Sequence, residues 1–266
     1  MDLLQVILLA AVQGLTEFLP VSSSAHLILL SLFTDHEDQG LLFDVALHVG
    51  TLLAVLFYFR HELRIMIRDW CLSCVGRGQT SESRLMWALG FATIPVGLAG
   101  LFFNQYVSDY LRDPIVIAIG MIVFAFFLGF ADKYARETRD EHHLNWKDVL
   151  VIGIAQAFAL IPGASRSGTT MTAGLLMGLS REASSRFSFL LSIPVILLAG
   201  GYEVSKMTAA DWASADIQLL MIGIALSAVT AFFCIQVFLK LIERIGMMPF
   251  VIYRLFLGAL LLYLFW

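Results

Sequence analysis

The chain has 266 residues, of which 59% are apolar and only 14% charged, with a formal net charge of −4 and a mean hydropathy of +0.83. Soluble domains hold roughly 45–50% apolar and about 25% charged residues, and a soluble fold of this size cannot hide such an excess from water. A disordered chain, a basic nucleic-acid binder and a disulfide-stapled secreted domain are thereby excluded. The expectation is an all-α polytopic membrane protein, one integral domain over 1–266.

The first region, 3–33, is apolar but broken at Pro20-Val21-Ser22-Ser23-Ser24. Each half is too short to cross about 30 Å of hydrocarbon alone. Full crossings are predicted at 43–59, 85–103 and 114–131, with a basic loop over 60–84. A second loop, 131–148, leads into 149–179, which is broken at Pro162-Gly163-Ala164-Ser165-Arg166-Ser167-Gly168. Crossings at 186–201, 217–239 and 250–266 follow, giving six full transmembrane helices and two re-entrant helical hairpins. Met1-Asp2-Leu3-Leu4 lacks the basic flank of a cleaved signal, so this segment is expected to be retained. Cys71 and Cys74 form a lone CxxC, read as two thiols on a loop helix rather than half of a zinc site.

The basic residues orient these segments. Loops 60–84 and 131–148, the 180–186 segment and Lys240 with Arg244 carry thirteen Lys and Arg. The intervening loops carry two, Arg112 and Lys206. The basic side is expected to be cytoplasmic. Both ends of 149–179 then lie inside and both ends of 1–33 outside. The hairpins enter from opposite faces, and both chain termini are external.

An internal repeat matches that geometry. Gln13-Gly14-Leu15-Thr16-Glu17-Phe18-Leu19-Pro20-Val21-Ser22-Ser23 resembles Gln156-Ala157-Phe158-Ala159-Leu160-Ile161-Pro162-Gly163-Ala164-Ser165-Arg166-Ser167, and Phe43 to Tyr58 can be laid on Phe187 to Tyr202. Two halves of opposite orientation, about 1–131 and 149–266, form an inverted-topology repeat whose site lies where the broken helices meet.

Glu17 carries the first chemistry. It lies one turn after Gln13, on the same helix face, and a carboxylate in an apolar stretch faces a partner or a wet cavity. The competing reading is an interfacial glutamate. His26, with a near-neutral pKa suited to proton transfer, follows Ser22-Ser23-Ser24. Those serines are helix caps, or one is a nucleophile. The second tip resembles an anion cradle of Ser165, Arg166, Ser167, Gly168 and Thr170, with glycine for close approach and helix-end N–H groups. Arg166 needs an anion at membrane depth; a ligand is favoured over an ion pair with Glu17, since one carboxylate does not need so many donors. Glu17, His26 and Arg166 are expected to line one chamber. Asp44 and His48 are read as interfacial, Glu243 as solvated, and Arg254 as snorkelling from the last span.

The segments Gln13-Gly-Leu-Thr-Glu17-Phe-Leu-Pro-Val-Ser-Ser-Ser-Ala-His26 and Pro162-Gly-Ala-Ser-Arg166-Ser-Gly-Thr-Thr170 together resemble the bacterial undecaprenyl-diphosphatase family of the bacitracin-resistance type. Phe187 to Pro194 and Pro249 to Arg254 extend the likeness along the chain. The resemblance implies an inner-membrane hydrolase that converts undecaprenyl diphosphate to undecaprenyl phosphate and inorganic phosphate, recycling the carrier lipid for cell-wall synthesis. It implies a divalent cation, Mg²⁺ or Ca²⁺, and a site that opens externally. By motif, Gln13 and Glu17 take the acidic or metal-binding positions, and Ser23 and His26 those of nucleophile and acid/base. Ser22, Ser165, Arg166, Ser167, Gly168 and Thr170 take those that hold the phosphates. Gln13 is neutral where many members carry Glu. The expected partners are the polyprenyl diphosphate lipid and membrane lipids, with a homodimer allowed and no nucleic acid. The alternative is a transporter or flippase for a lipid phosphate or other anion.

Overall fold

A computed structural model describes residues 2–33, 40–110, 113–135, 138–209, 212 and 216–266. Among the described residues the fold is helical, with no strand beyond an isolated bridge between Arg139 and Leu179. In chain order the helices are α1 (Leu3–Thr16), α2 (Ser23–Phe33), α3 (Leu41–Tyr58), α4 (Arg60–Cys74), α5 (Ser81–Tyr110) and α6 (Pro114–Tyr134). They continue with α7 (Trp146–Ala157), α8 (Arg166–Leu176), α9 (Arg181–Lys206), α10 (Ile217–Ile245) and α11 (Met248–Phe265).

Six of them, α3, α5 over Ser81–Phe103, α6, α9, α10 and α11, are long and apolar enough to cross a membrane. They coincide with the six expected crossings, so the chain is a multi-pass, all-α membrane protein. Phe102, Phe126, Phe233 and Phe256 stay exposed on the outer faces, as helices against hydrocarbon require. Helix α9 starts earlier than hydropathy suggests, at Arg181, because the Ser180 hydroxyl caps it by accepting from the Ala183 N–H at 3.0 Å.

The two broken regions do form pairs of short helices, α1 with α2 and α7 with α8. Their breaks differ from the expected ones. Helix α1 ends at Thr16, before Pro20, and Arg166 to Gly168 already belong to α8 because Ser165 is its N-cap. Helix α1 packs on α10 across Gly14, where a Cβ would lie 2.7 Å from Thr230 Cβ. Helix α7 packs on α5 across Gly153, where a Cβ would lie 2.9 Å from the Ala92 carbonyl.

Ion pairs gather where the basic loops meet the bundle. Arg186 donates to Glu62 and to Glu141, both at 2.5 Å, joining α9 to α4 and to the 141–143 turn. Arg181 binds Asp132 at 2.6 Å, and Arg139 binds Asp148. Glu243, expected to be solvated, instead accepts the Glu182 N–H at 2.7 Å in the first turn of α9. Cys71 and Cys74 are free and exposed on α4. Arg112 and Arg136, both used in the charge count, lie outside the described residues.

Candidate active site

Each broken region turns through a serine. Ser22 and Ser165 have left-handed backbones, and each precedes the first residue of a new helix. The Ser165 hydroxyl accepts from the Gly168 N–H at 3.1 Å, which leaves the Arg166 and Ser167 N–H groups without an acceptor among the described residues. The second tip sits against α6 because Gly120 has no side chain there: a Cβ would fall 2.5 Å from the Pro162 carbonyl. The tips also touch each other, Ser167 donating to the Leu19 carbonyl at 2.8 Å.

The central contact joins Glu17 and Arg166. Arg166 Nη2 donates to Glu17 Oε1 at 2.7 Å, while Nη1 donates to the Ser188 carbonyl at 3.0 Å. The ion pair ranked second from sequence is therefore present. It does not exhaust the site, because both side chains line a chamber of about 430 Å³. Glu17 Oε2 accepts from Ser23 Oγ at 2.7 Å and from Gln13 Nε2 at 3.1 Å, and His48 Nε2 lies 3.7 Å away. Gln13 is fully buried and its Oε1 has no hydrogen-bond partner among the described residues. Asp44 and His48, read as interfacial, both line the chamber, as does Glu203. His48 Nδ1–H donates to the Asp44 carbonyl at 2.8 Å, which turns Nε2 toward Glu17.

Of the residues expected to hold phosphates, Ser22, Ser165 and Arg166 line the chamber. Ser167, Gly168 and Thr170 do not. Ser167 is turned to Leu19, Thr170 donates to Ser188 Oγ at 2.7 Å, and Gly168 packs beneath Arg254, where a Cβ would lie 2.8 Å from Nη1. Thr170 thus supports Ser188, whose carbonyl holds Arg166.

His26 is the main departure from expectation. It is not among the residues lining the chamber; Nδ1–H donates to the Ser22 carbonyl at 2.7 Å and Nε2 accepts from the Tyr253 hydroxyl at 2.6 Å. On α2, Ser23 and Leu27 share the chamber face at a spacing of four, and the intervening register turns His26 toward α11. Glu17 and Arg166 share one chamber as expected, though as a direct pair; His26 is not among the residues that line it.

Arg254 was missed. It does not snorkel. It is fully buried, donating to the carbonyls of Pro20 at 3.1 Å, Gly163 at 2.8 Å, Ala164 at 2.9 Å and Met121 at 3.3 Å. It therefore ties both tips to α6. The signal in the sequence was an Arg that cannot shed its charge within an apolar span.

Fold and site together define a polytopic helical membrane protein in which two interrupted helices bring a carboxylate and a guanidinium to one chamber. A profile of the bacitracin resistance protein BacA family matches residues 6–260, and the chain belongs to that family. It is 56% identical over 266 residues to an undecaprenyl-diphosphatase of Thioalkalivibrio sulfidiphilus, covering 100% of both chains. It is also 56% identical over 272 residues to undecaprenyl-diphosphatase 2 of Stutzerimonas stutzeri, covering 100% of this chain and 99% of that one. An undecaprenyl-diphosphatase of Nitrosococcus oceani is 52% identical over 269 residues, again with 100% of each chain covered.

Proposed function

We propose that the chain hydrolyses undecaprenyl diphosphate to undecaprenyl phosphate and inorganic phosphate at the Glu17–Arg166 chamber, recycling the carrier lipid for cell-wall synthesis. The observation that carries this reading is the Glu17 carboxylate bonded on one oxygen to Arg166 and on the other to the Ser23 hydroxyl. A binding site for a passive anion has no use for a carboxylate on a hydroxyl; a phosphoryl-transfer site does. Glu17 Oε2 takes the proton of the attacking hydroxyl, that of Ser23 or of a water. The new P–O bond forms at the terminal phosphorus, and the bond to the inner phosphate breaks, leaving the monophosphate lipid. With Ser23 as nucleophile, water then cleaves the phosphoserine. Arg166 and the free N–H groups at the start of α8 stabilise charge on the transferring oxygens. His26, held by Tyr253, acts as a positioning residue for α2.

The donor set fits a hard divalent cation. Glu17, Asp44 and Glu203 place carboxylates on the chamber wall, and the buried Gln13 Oε1 is an acceptor without a donor among the described residues. No cluster of three or more His, Cys, Asp or Glu is assembled for a metal among the described residues. Mg²⁺ or Ca²⁺ would therefore be held jointly by Glu17, its neighbours and the diphosphate itself, the usual mode for Mg²⁺. When bound, it would neutralise diphosphate charge beside these carboxylates.

The proposed setting is the bacterial inner membrane, with the basic loops cytoplasmic, both termini external and the chamber reached from outside. Re-entrant hairpins from opposite faces and an inverted repeat account for Ser22 and Ser165 turning alike and for α1 packing on α10 as α7 packs on α5. Interrupted helices also suit a transporter or flippase. The test is phosphate release from a polyprenyl diphosphate in detergent with Mg²⁺ or Ca²⁺, which Arg166→Ala and Glu17→Ala should abolish. Full activity in both variants removes the assigned site. Lipid counterflow in proteoliposomes without phosphate release replaces hydrolysis with transport.

A further inference from the structure

The chamber has an apolar neighbour. Between α5 and α9 lies a groove of about 520 Å³, walled on α5 by Gly90, Thr93, Gly97, Gly100 and Leu101 and on α9 by Val195, Leu198 and Ala199. Val195, Ala199 and Glu203 line both spaces. At a spacing of four along α9 they form one stripe, the ridge between polar chamber and apolar groove. Ala199, exposed and small, is the low point of that ridge.

The groove is open because α5 lacks side chains there. A Cβ on Gly90 or Gly100 would meet nothing within 4 Å, and one on Gly97 only Leu198 Cδ1 at 3.9 Å. These glycines are not spent on helix packing, in contrast to Gly14 and Gly153. The lip exposes Ile94, Leu98, Leu101 and Leu198 on the face turned to hydrocarbon. A second apolar groove between α3 and α10, near Leu53, Phe57 and Phe232, has no lining residue in common with the chamber. A lipid whose head sits by Arg166 reaches the first groove directly and not the second.

The geometry points to the α5–α9 groove as the subsite for the isoprenoid chain of the diphosphate lipid, an inference that rests on the hydrolysis reading above. Thr93 to Leu101 spans about 12 Å along α5, enough for the first few isoprene units only. The rest of the chain stays in the bilayer. The occupant is the tail of the molecule whose head is in the chamber, because the uncharged Val195 and Ala199 border both spaces and the charge on that ridge, Glu203, lies at its end. Specificity then comes from the proximal chain, with Gly97 and Gly100 setting the groove's depth.

The test compares KM for farnesyl diphosphate and isopentenyl diphosphate in the wild type and in the Gly97→Leu, Gly100→Leu double variant. A Cβ at either position meets no backbone atom within 4 Å, so the substitutions start without a backbone clash. Filling the groove should raise KM for farnesyl diphosphate about tenfold relative to that for isopentenyl diphosphate, the range a pocket gains or loses per methylene or two. An unchanged ratio, in an enzyme that turns over both, overturns the subsite and leaves hydrolysis standing. Failure of the wild type to release phosphate from either, and from a long polyprenyl diphosphate as well, overturns hydrolysis instead. The groove is then still read by photolabelling with a polyprenyl diphosphate carrying a diazirine on its second isoprene. Labels within 90–101 and 195–203 are expected. Labels confined to 53–57 and 228–233, or labelling displaced equally well by excess phosphatidylethanolamine, overturn it.

Discussion

Ser22 and Ser165 share a backbone conformation that serine seldom adopts, with φ at 73° in both. The left-handed region costs a residue with a Cβ about 1–2 kcal/mol. Each serine stands where a broken helix restarts, so the strain is placed at the two tips that build the chamber wall.

This sets an order among variants at Ser165. Both Ser165→Ala and Ser165→Gly lose the cap on the Gly168 N–H, worth about 1 kcal/mol. Only glycine also relieves the backbone. Unfolding in detergent should rank Ser165→Gly above Ser165→Ala by about 1 kcal/mol; the opposite order would mean that the tip relaxes to a negative φ.

Arg254→Met is expected to damage stability and activity together. It strips donors from the carbonyls of Pro20, Gly163, Ala164 and Met121. Buried carbonyls without partners cost about 1–3 kcal/mol each. Loosened tips should lower phosphate release about a hundredfold, the effect of a misplacement of roughly an ångström. Arg254→Lys should not rescue it, because an ammonium cannot span carbonyls from three segments. Near-normal release by the lysine variant would show that charge alone suffices.

Tyr253→Phe tests the place given to His26. Removing the hydroxyl frees His26 Nε2 and should cost about 1 kcal/mol of stability. If His26 positions α2, Tyr253→Phe and His26→Ala should lower phosphate release to a similar, modest extent, and the double variant should be no worse than either. A His26→Ala loss far exceeding that of Tyr253→Phe would return His26 to proton transfer.

Gly120→Ala probes the seat of the second tip. Its new Cβ would lie 2.5 Å from the Pro162 carbonyl, a backbone atom that can move only with the tip. Overpacking of this kind costs about 1–3 kcal/mol, and displacing the tip draws Arg166 away from Glu17. Reduced thermal stability and reduced phosphate release are both expected. A variant with wild-type behaviour in each measurement would show that α6 gives way instead.

Much of this was legible in the chain itself. Hydropathy is a local property, so the six crossings, the two interruptions and the bias of Lys and Arg between loops could be read from the residues in order. Glu17 and Arg166 stood out because a charge inside an apolar stretch has few stable fates. The tertiary structure decided what those charges meet. Whether Arg166 pairs with Glu17 depends on two tips far apart in sequence coming within hydrogen-bond reach. His26 turned from the chamber because the α2 register faces Tyr253, and Arg254 became a buried clamp because α11 passes behind both tips. Side-chain destinations are set by which helices become neighbours and at what rotation, and periodicity along one strand of sequence carries no record of either.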